Sequence, residues 1–327
     1  MVQLSSCDPL PAARVREMLY SITPAHRRAE FERRHDSDFS YELPELGRFH
    51  CNLFMDRKGA GGVFRVIPRD ILTTEDLGLS SHILSLCRLM KGLVVVTGPT
   101  GSGKSTTLAA MIDYINRNRS GHIISIEDPI EFVYDNKKCL INQREIGNHT
   151  DGFKAALRAA LREDPDIVLV GEMRDLETVE IAIETAETGH LVFGTLHTNT
   201  AASTVDRIID QFPSDRQAQV RVMLASSLKG VIAQTLCKKT GGGRVAALEV
   251  LIVNAAISNL IREGKTFQIG SIMQTGRKLG MVTLSDALAE LVEKKLVSPD
   301  EAHGKAVDRS EFAKVLAAKG FERAAGS

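Results

Sequence analysis

The 327-residue sequence has no tryptophan, no net charge and no long apolar run. Its 41 lysines and arginines balance 41 aspartates and glutamates, so no strong field attracts nucleic acid or acidic lipid. A DNA translocase would need a basic channel rich in aromatic residues, so nucleic-acid binding is not expected. No apolar stretch approaches the roughly 20 residues that cross a bilayer, and the first residues lack a signal-peptide core. We therefore expect a cytoplasmic protein without direct membrane insertion.

Cysteine is scarce, and its five positions are scattered along the chain. They are Cys7, Cys51, Cys87, Cys139 and Cys237, and no two of them form a C-x-x-C pair. A cysteine-based zinc site is therefore not expected. We interpret these residues as small buried hydrophobic side chains in a reducing compartment. With 43% hydrophobic residues, the chain can bury a substantial core.

The first part of the chain is predicted to form a small α+β unit. Helical spacing covers residues 10–35, where Thr23 is expected to cap a second helix that starts at a proline. Alternating patterns predict strands over 47–56 and 63–67. The small residues 59–62 between them are predicted to form the hairpin connection.

From about residue 80, strands alternate with helices, which is typical of a parallel sheet covered on both faces. The predicted strands are 93–97, 122–126, 167–170, 191–195 and 246–250. The predicted helices between them are 104–117, 152–163, 175–187 and 201–209. Beyond about residue 254 the chain is predicted to be mostly helical, with an amphipathic helix over 283–296 capped by Thr283 or Ser285.

Residues 93–107 carry the most specific motif. An apolar strand precedes G-x-x-x-x-G-K-[ST], whose fixed positions are Gly98, Gly103, Lys104 and Ser105. Backbone N–H groups of such a loop surround phosphate oxygens at the positive end of a helix. Lys104 is predicted to reach the β- and γ-phosphates of ATP, and the Ser105 hydroxyl to bind Mg²⁺. The predicted nucleotide-binding residues of this loop are Gly98, Pro99, Thr100, Gly101, Ser102, Gly103, Lys104, Ser105 and Thr106.

Two carboxylates at predicted strand ends are candidates for catalysis. Glu127 ends the strand after the phosphate-loop helix, and Asp128 and Glu131 follow it; the carboxyl edge of a parallel sheet faces the ligand. We expect Glu127 to hold Mg²⁺ or its waters, the alternative being a solvated acidic loop. Glu172 follows an apolar strand and a glycine, in a segment that lacks the usual Walker B aspartate. It is predicted to polarise the attacking water, directly or through magnesium.

Three further groups of polar residues are candidates for a role at the phosphates. Arg174 either binds phosphate or pairs with Asp175. His197 follows another predicted strand among hydrogen-bonding residues and is predicted to sense the γ-phosphate, whereas His190 is interpreted as structural. Arginine forks suit phosphate oxygens, but solvated strand arginines are equally compatible with the pattern of Arg48, Arg57 and Arg65.

Together these segments resemble the secretion and pilus traffic ATPases of the GspE/PilB/PilT family, in particular the PilT-type twitching-motility ATPases. The resemblance covers about residues 10–300. Its motifs are RKGAGGVFR (57–65), GPTGSGKSTT (98–107), IEDPIEFV (126–133), ALREDPDIVLVGEMRD (160–175) and GHLVFGTLHTNTA (189–201).

The resemblance implies a partial PAS-like domain over residues 1–74, a linker over 75–79, a RecA-like ATPase domain over 80–272 and a helical region over 273–327. It implies a homohexameric ring with nucleotide between the two domains. It also implies a motor at the inner membrane that hydrolyses ATP to retract type IV pili. The implied partners are a pilus platform protein and a PilU-like or PilB-like motor.

The resemblance also implies roles for single residues. Glu127 is the acidic-box glutamate, Glu172 the catalytic glutamate and His197 the histidine-box residue. Arg57 and Arg65 match arginines that reach the nucleotide when the domains close.

One feature opposes a rival subfamily, and two others depart from the family's usual pattern. Cys237 has no partner cysteines nearby, which opposes an assembly or secretion ATPase with a tetracysteine metal site. The retraction signature AIRNLIRE is AISNLIRE here, with Ser258 in place of arginine, so retraction strength is expected to differ and an accessory PilU-like motor remains an alternative.

The family's opening strands are absent, and we expect an unpaired sheet edge, less cover for Phe49, and lower stability or ring assembly. A DNA translocase or an ATP-dependent binding switch is a remoter alternative.

Overall fold

The computed structural model describes residues 8–44, 46–67 and 70–321. Contacts divide the chain into two compact units, of which the first ends at Asp70 and includes Pro129–Val133. The second begins at Ile71. This division falls a few residues before the linker expected over 75–79, and the detailed domain bounds remain predictions.

The first unit contains two helices and a three-stranded antiparallel sheet in the order β1-β2-β3. Its elements are α1 Ala12–Ile22, α2 Ala25–Arg34, β1 Asp36–Leu43, β2 Gly47–Asp56 and β3 Gly59–Ile67. The helices pack on the sheet through one apolar cluster, formed by Leu19, Phe31, Phe39, Cys51 and Leu53. The predicted small α+β unit is therefore confirmed.

Two local predictions in this unit are wrong. Thr23 does not cap α2: its Oγ1 donates to the Leu19 carbonyl at 2.6 Å and so closes α1, while Pro24 precedes α2. Residues 59–62 are not the connection, because they belong to β3 and pair with β2. A Cβ at Gly61 would lie 2.5 Å from the Phe54 ring, so that glycine makes room for a cross-strand aromatic side chain.

The second unit consists of a seven-stranded sheet with helices around it. Its strands are β4 Gly92–Thr97, β5 Gly121–Glu127, β6 Cys139–Glu145, β7 Ile167–Val170, β8 Leu191–Leu196, β9 Leu228–Lys238 and β10 Arg244–Ile252. Its helices are α3 Ser81–Cys87, α4 Lys104–Asn118, α5 Phe153–Ala160, α6 Leu176–Glu187, α7 Ala201–Asp210, α8 Gln217–Ser227, α9 Ala255–Arg262, α10 Ile269–Thr275, α11 Leu284–Glu293, α12 Pro299–Lys305 and α13 Arg309–Ala318. Short 3₁₀ turns occupy Thr266–Gln268 and Arg277–Leu279.

The strand order is β10-β9-β4-β8-β7-β5-β6, and every neighbouring pair is parallel except β9 with β10. The central strands β4, β7 and β8 are buried along their whole length, as expected for strands covered on both faces. The predicted α/β class and all five predicted strands of this part are confirmed. Strands β6 and β9 were not predicted, because polar residues interrupt their apolar pattern.

The C-terminal helices pack on the strands β9 and β10 and close a second apolar cluster. Phe312 of α13, Leu288 of α11 and Cys237 of β9 are all fully buried in it. The expected cap is confirmed, since the Thr283 side chain accepts from the Asp286 N–H at the start of α11.

The four cysteines in the described part of the chain are buried free thiols, and burial raises the pKa of the Cys237 thiol to about 11. They behave as core residues.

Candidate functional site

The glycine-rich loop connects strand β4 to helix α4, as its motif predicts. Gly98, Gly101 and Gly103 have φ angles of 144°, 77° and 89°, a region that side-chain-bearing residues rarely adopt. Helix α4 starts at Lys104 directly after the loop. The first-turn N–H groups of α4 therefore face the loop, which is the arrangement that binds phosphate at a helix N-terminus.

Two polar side chains of the loop fit a triphosphate. The Lys104 ammonium donates to the Gly98 carbonyl at 2.9 Å and to the Pro99 carbonyl at 3.2 Å, so it is folded over the loop. The Ser102 hydroxyl is buried and has no hydrogen-bond partner among the described residues. A phosphate oxygen would satisfy such a hydroxyl, because buried polar groups are normally hydrogen-bonded.

The residues at the start of α4 also fit a magnesium ion that is bound together with a nucleotide. Ser105 and Thr106 are half-buried in its first turn. Within the described ranges, no cluster of three or more His, Cys, Asp or Glu side chains could hold a metal ion by itself. Magnesium keeps several waters and is bound largely through substrate phosphates, and in this motif the residue after the lysine supplies a hydroxyl ligand, which is the position of Ser105.

Glu172 lies just beyond the end of β7, with 18% of its side chain exposed. Its Oε1 accepts a hydrogen bond from Arg174 Nε at 2.5 Å and another from His197 Nε2. Partial burial raises the pKa of Glu172, but the bonds from Arg174 and His197 outweigh it, so the net pKa lies below its ordinary value. The carboxylate is thus held ionised beside two positively charged or polar groups.

The structure excludes one of the two alternatives for Arg174, and phosphate binding stays a prediction. Arg174 pairs with Glu172, and the pKa of its guanidinium is raised first by that hydrogen bond and also by the charges of Glu172 and Asp128. Asp175 instead caps helix α6 by accepting from the Thr178 N–H at 2.9 Å. Pairing of Arg174 with Asp175 is therefore wrong: the guanidinium contacts Glu172, and Asp175 accepts from the first turn of α6.

His197 follows β8, and its segment is tied to the strand that leads into the phosphate loop. Thr97 Oγ1 donates to the Thr198 carbonyl at 2.8 Å, and the Thr198 hydroxyl contacts the Thr204 hydroxyl at 2.7 Å. His190 lies at the other end of β8, where its Nδ1 is 3.1 Å from the Thr185 carbonyl. The sequence predicted His197 but gave no signal for the bridge formed by Thr97.

Glu127 is the last residue of β5 and is only 8% exposed. Its Oε1 accepts from Ser125 Oγ at 2.6 Å and from Gln143 Nε2 at 3.2 Å. A Cβ at Gly171 would lie 3.2 Å from the Glu127 Cα, so Glu127 packs directly against the residue before Glu172. The two candidate carboxylates lie at adjacent strand ends.

The sheet order brings four predicted segments to one edge. Strands β4, β8, β7 and β5 are consecutive neighbours and parallel, so their carboxyl ends point the same way. The phosphate loop, His197, Glu172 and Glu127 follow or end these strands in that order. The individual chemical roles of these residues remain predictions.

The arginines of the first unit lie on its second hairpin. Arg57 is in the turn between β2 and β3, Arg65 is on β3, and both are exposed. Arg48 of β2 donates to the Ser40 hydroxyl at 2.8 Å. Contact of Arg57 and Arg65 with a nucleotide remains a prediction.

In the parts of the chain described here, no helix is long and apolar enough to pass through a membrane.

Known proteins resemble this chain over most of its length. A family model described as "Type II/IV secretion system protein" matches residues 73–241. The "Type IV pilus retractation ATPase PilT" of Pseudomonas aeruginosa is 56% identical over 305 residues, which cover 93% of this chain and 89% of the relative. The "Type IV pilus ATPase PilU" of the same organism is 40% identical over 295 residues, covering 90% of this chain and 77% of the relative. A crystal structure of the pilus retraction motor PilT with bound ADP matches with a TM-score of 0.86 at 49% identity, covering 91% of this chain and 85% of that one.

The parallel sheet, the glycine-rich loop at the end of β4 and the carboxylates at the neighbouring strand ends define a RecA-like P-loop ATPase. The chain belongs to the type II/IV secretion system protein family, among its PilT-type ATPases. A nucleotide is therefore its ligand and ATP hydrolysis its reaction.

Proposed function

We propose that this protein is the subunit of a hexameric motor that couples ATP hydrolysis to the retraction of type IV pili. The observation that carries the proposal is the 56% identity to a pilus retraction ATPase across 93% of the chain. The PilU relative is 40% identical, so the comparison favours a main retraction motor over an accessory one. The motor is proposed to work at the inner membrane with a pilus platform protein and a second pilus motor.

The proposed reaction is phosphoryl transfer from ATP to water. Lys104 neutralises charge on the β- and γ-phosphates, and the Ser105 hydroxyl would hold a Mg²⁺ ion that would supply further positive charge there. Glu172, kept ionised by Arg174 and His197, orients the attacking water and accepts its proton. Glu127 would hold Mg²⁺ or its waters, and its bonds to Ser125 and Gln143 fix the direction of its carboxylate.

Coupling to movement is proposed to depend on the first unit. Arg57 and Arg65 carry exposed guanidinium groups that suit phosphate oxygens. We propose that they reach the nucleotide when the PAS-like and RecA-like domains close, and that loss of the γ-phosphate releases them. His197 is proposed to sense the same phosphate through its contact with Glu172.

The proposal is tested by complementation of a type IV piliated strain that lacks its retraction ATPase. Wild-type protein is expected to restore twitching, while Glu172→Gln, which preserves side-chain shape but removes the base, is expected to restore none. The matched control is Glu184→Gln at an exposed position of α6. Failure of the wild-type protein to restore retraction, at normal expression, would overturn the proposed role. Restoration only in a strain that retains a main motor would favour the accessory role.

A further inference from the structure

Gln234 contacts the phosphate loop from the neighbouring strand β9. Strand β9 runs parallel to β4 with Ala233 opposite Thr97. Gln234 therefore follows Ala233 on β9 at the level where Gly98 begins the phosphate loop. Gln234 is buried, with only 4% of the residue exposed. No sequence motif distinguishes it from any other polar residue in a strand.

Both ends of the Gln234 amide are hydrogen-bonded, one to each side of the loop. Its Nε2 donates to the Ser102 carbonyl at 2.6 Å, and its Oε1 accepts from the Thr107 hydroxyl at 2.7 Å. A carbonyl oxygen only accepts, so the amide nitrogen must face Ser102. The amide thus links the middle of the loop to the first turn of α4.

The backbone and side chain of Gln234 also explain two of the loop glycines. A Cβ at Gly98 would lie 2.3 Å from the Gln234 carbonyl oxygen, and a Cβ at Gly103 would lie 2.8 Å from Gln234 Nε2. The glycines at both fixed positions of the motif therefore allow close approach of β9. The loop is packed against Gln234 on the side of β9.

We propose that Gln234 is a positioning residue that holds the phosphate loop in the shape that accepts a triphosphate, and thereby sets nucleotide affinity. A loop that is ordered before binding loses less conformational entropy when the ligand arrives. Without the amide, the Ser102 carbonyl and Thr107 hydroxyl lose their partner and the loop must be ordered by the nucleotide itself. This inference rests on nucleotide binding at this loop, as in the proposed function.

The test compares Gln234→Glu with wild-type protein by titration with a fluorescent ATP analogue and by steady-state ATP hydrolysis. Glutamate keeps the shape and the acceptor for Thr107 but places an oxygen against the Ser102 carbonyl. We expect Kd and KM to rise about tenfold, the scale of one lost buried hydrogen bond. The value of kcat at saturating ATP should change less, since Gln234 touches no reacting atom. Gln219→Glu, at an exposed position of α8, is the matched control and should leave both constants unchanged.

Thr107 provides a second, independent variant. Thr107→Val removes the hydroxyl that donates to Gln234 and should raise the Kd for the analogue. Thr107→Ser keeps that hydroxyl and should leave the Kd unchanged. The two defects, Gln234→Glu and Thr107→Val, should be less than additive because they break one network. If Gln234→Glu fails to fold, as judged by its thermal melting, the Thr107 pair decides the question alone.

The inference is overturned if folded Gln234→Glu, or Thr107→Val in its place, binds the analogue as tightly as wild-type protein. It is also overturned if the only change is a lower melting temperature with unchanged Kd, since that indicates a structural role. These outcomes are measured as nucleotide affinity of the variants. A failure of the proposed function would instead appear as wild-type protein that does not retract pili.

Discussion

At the scale of single residues, Glu172 has an unusual environment, because one of its carboxylate oxygens accepts from both Arg174 and His197. These bonds outweigh partial burial and lower the pKa of Glu172. A lowered pKa means that the carboxylate stays ionised, and able to accept a proton, to a lower pH than an ordinary glutamate. In a plot of kcat against pH, the fall on the acid side should therefore occur at a lower pH than an ordinary glutamate would give.

Arg174→Gln tests this electrostatic account. With the guanidinium removed, the pKa of Glu172 should rise, and the fall in kcat on the acid side should shift to higher pH. The measurement is kcat against pH at saturating ATP, with Arg216→Gln on helix α8's N-terminal side as the control, since Arg216 pairs with Glu180 instead. An unchanged acid limb would mean that Arg174 does not set the charge state of Glu172.

The residues of this site differ in how far the sequence predicted them. Lys104 was predicted from its fixed position in the glycine-rich motif, and Glu127, Glu172 and His197 because each ends or follows an apolar strand. Gln234 could not be found, since its contacts depend on β9 lying beside β4. The pairing of these two strands brings together residues that are far apart in the chain: Gln234 and Ser102 are separated by 132 positions.

At the scale of elements, Glu249 of β10 joins two helices. Its Oε1 accepts from the Ala201 N–H at 2.6 Å and its Oε2 from the Leu284 N–H at 3.0 Å, so it caps α7 and α11 together. First-turn N–H groups have no partner within their own helix, which is why such caps stabilise helices. Helix α7 directly follows the segment of His197. The cap therefore connects the histidine segment to the C-terminal helices.

Glu249→Ala should lower the free energy of unfolding by about 2–6 kcal/mol, because two buried N–H groups lose their acceptor at about 1–3 kcal/mol each. The measurement is the midpoint of urea denaturation, with exposed Glu184→Ala as the control. An unchanged midpoint would show that water or relaxation replaces both caps. Neither cap could be predicted from the sequence, because the glutamate lies 48 and 35 positions away from its two partners.

Elements with regular apolar patterns were predicted well and the irregular ones were not. Strand β7 was predicted at its observed bounds because all four of its residues are apolar and buried. Strands β6 and β9 carry polar residues such as Gln143 and Gln234 that contact other segments, which breaks the pattern. In the first unit, β1 was missed for a related reason: only Ser37 and Phe39 of its eight residues are buried.

At the scale of the whole molecule, the alternation of strands and helices predicted the α/β class but not the strand order. The chain visits β4, β5, β7 and β8 in sequence, yet β8 and not β5 lies beside β4. The consequence for function is that His197, the last of the predicted catalytic residues in the chain, follows the strand next to the phosphate loop.

The central claim is that one site binds ATP at the loop of Lys104 and uses Glu172 to activate water. The most direct test measures nucleotide affinity and ATP turnover of purified wild-type and Glu172→Gln protein in magnesium buffer. The account predicts that Glu172→Gln keeps its ATP affinity within about threefold while kcat falls about 10²–10⁴-fold, the usual contribution of a general base. Wild-type turnover by a folded Glu172→Gln protein that binds ATP would contradict it.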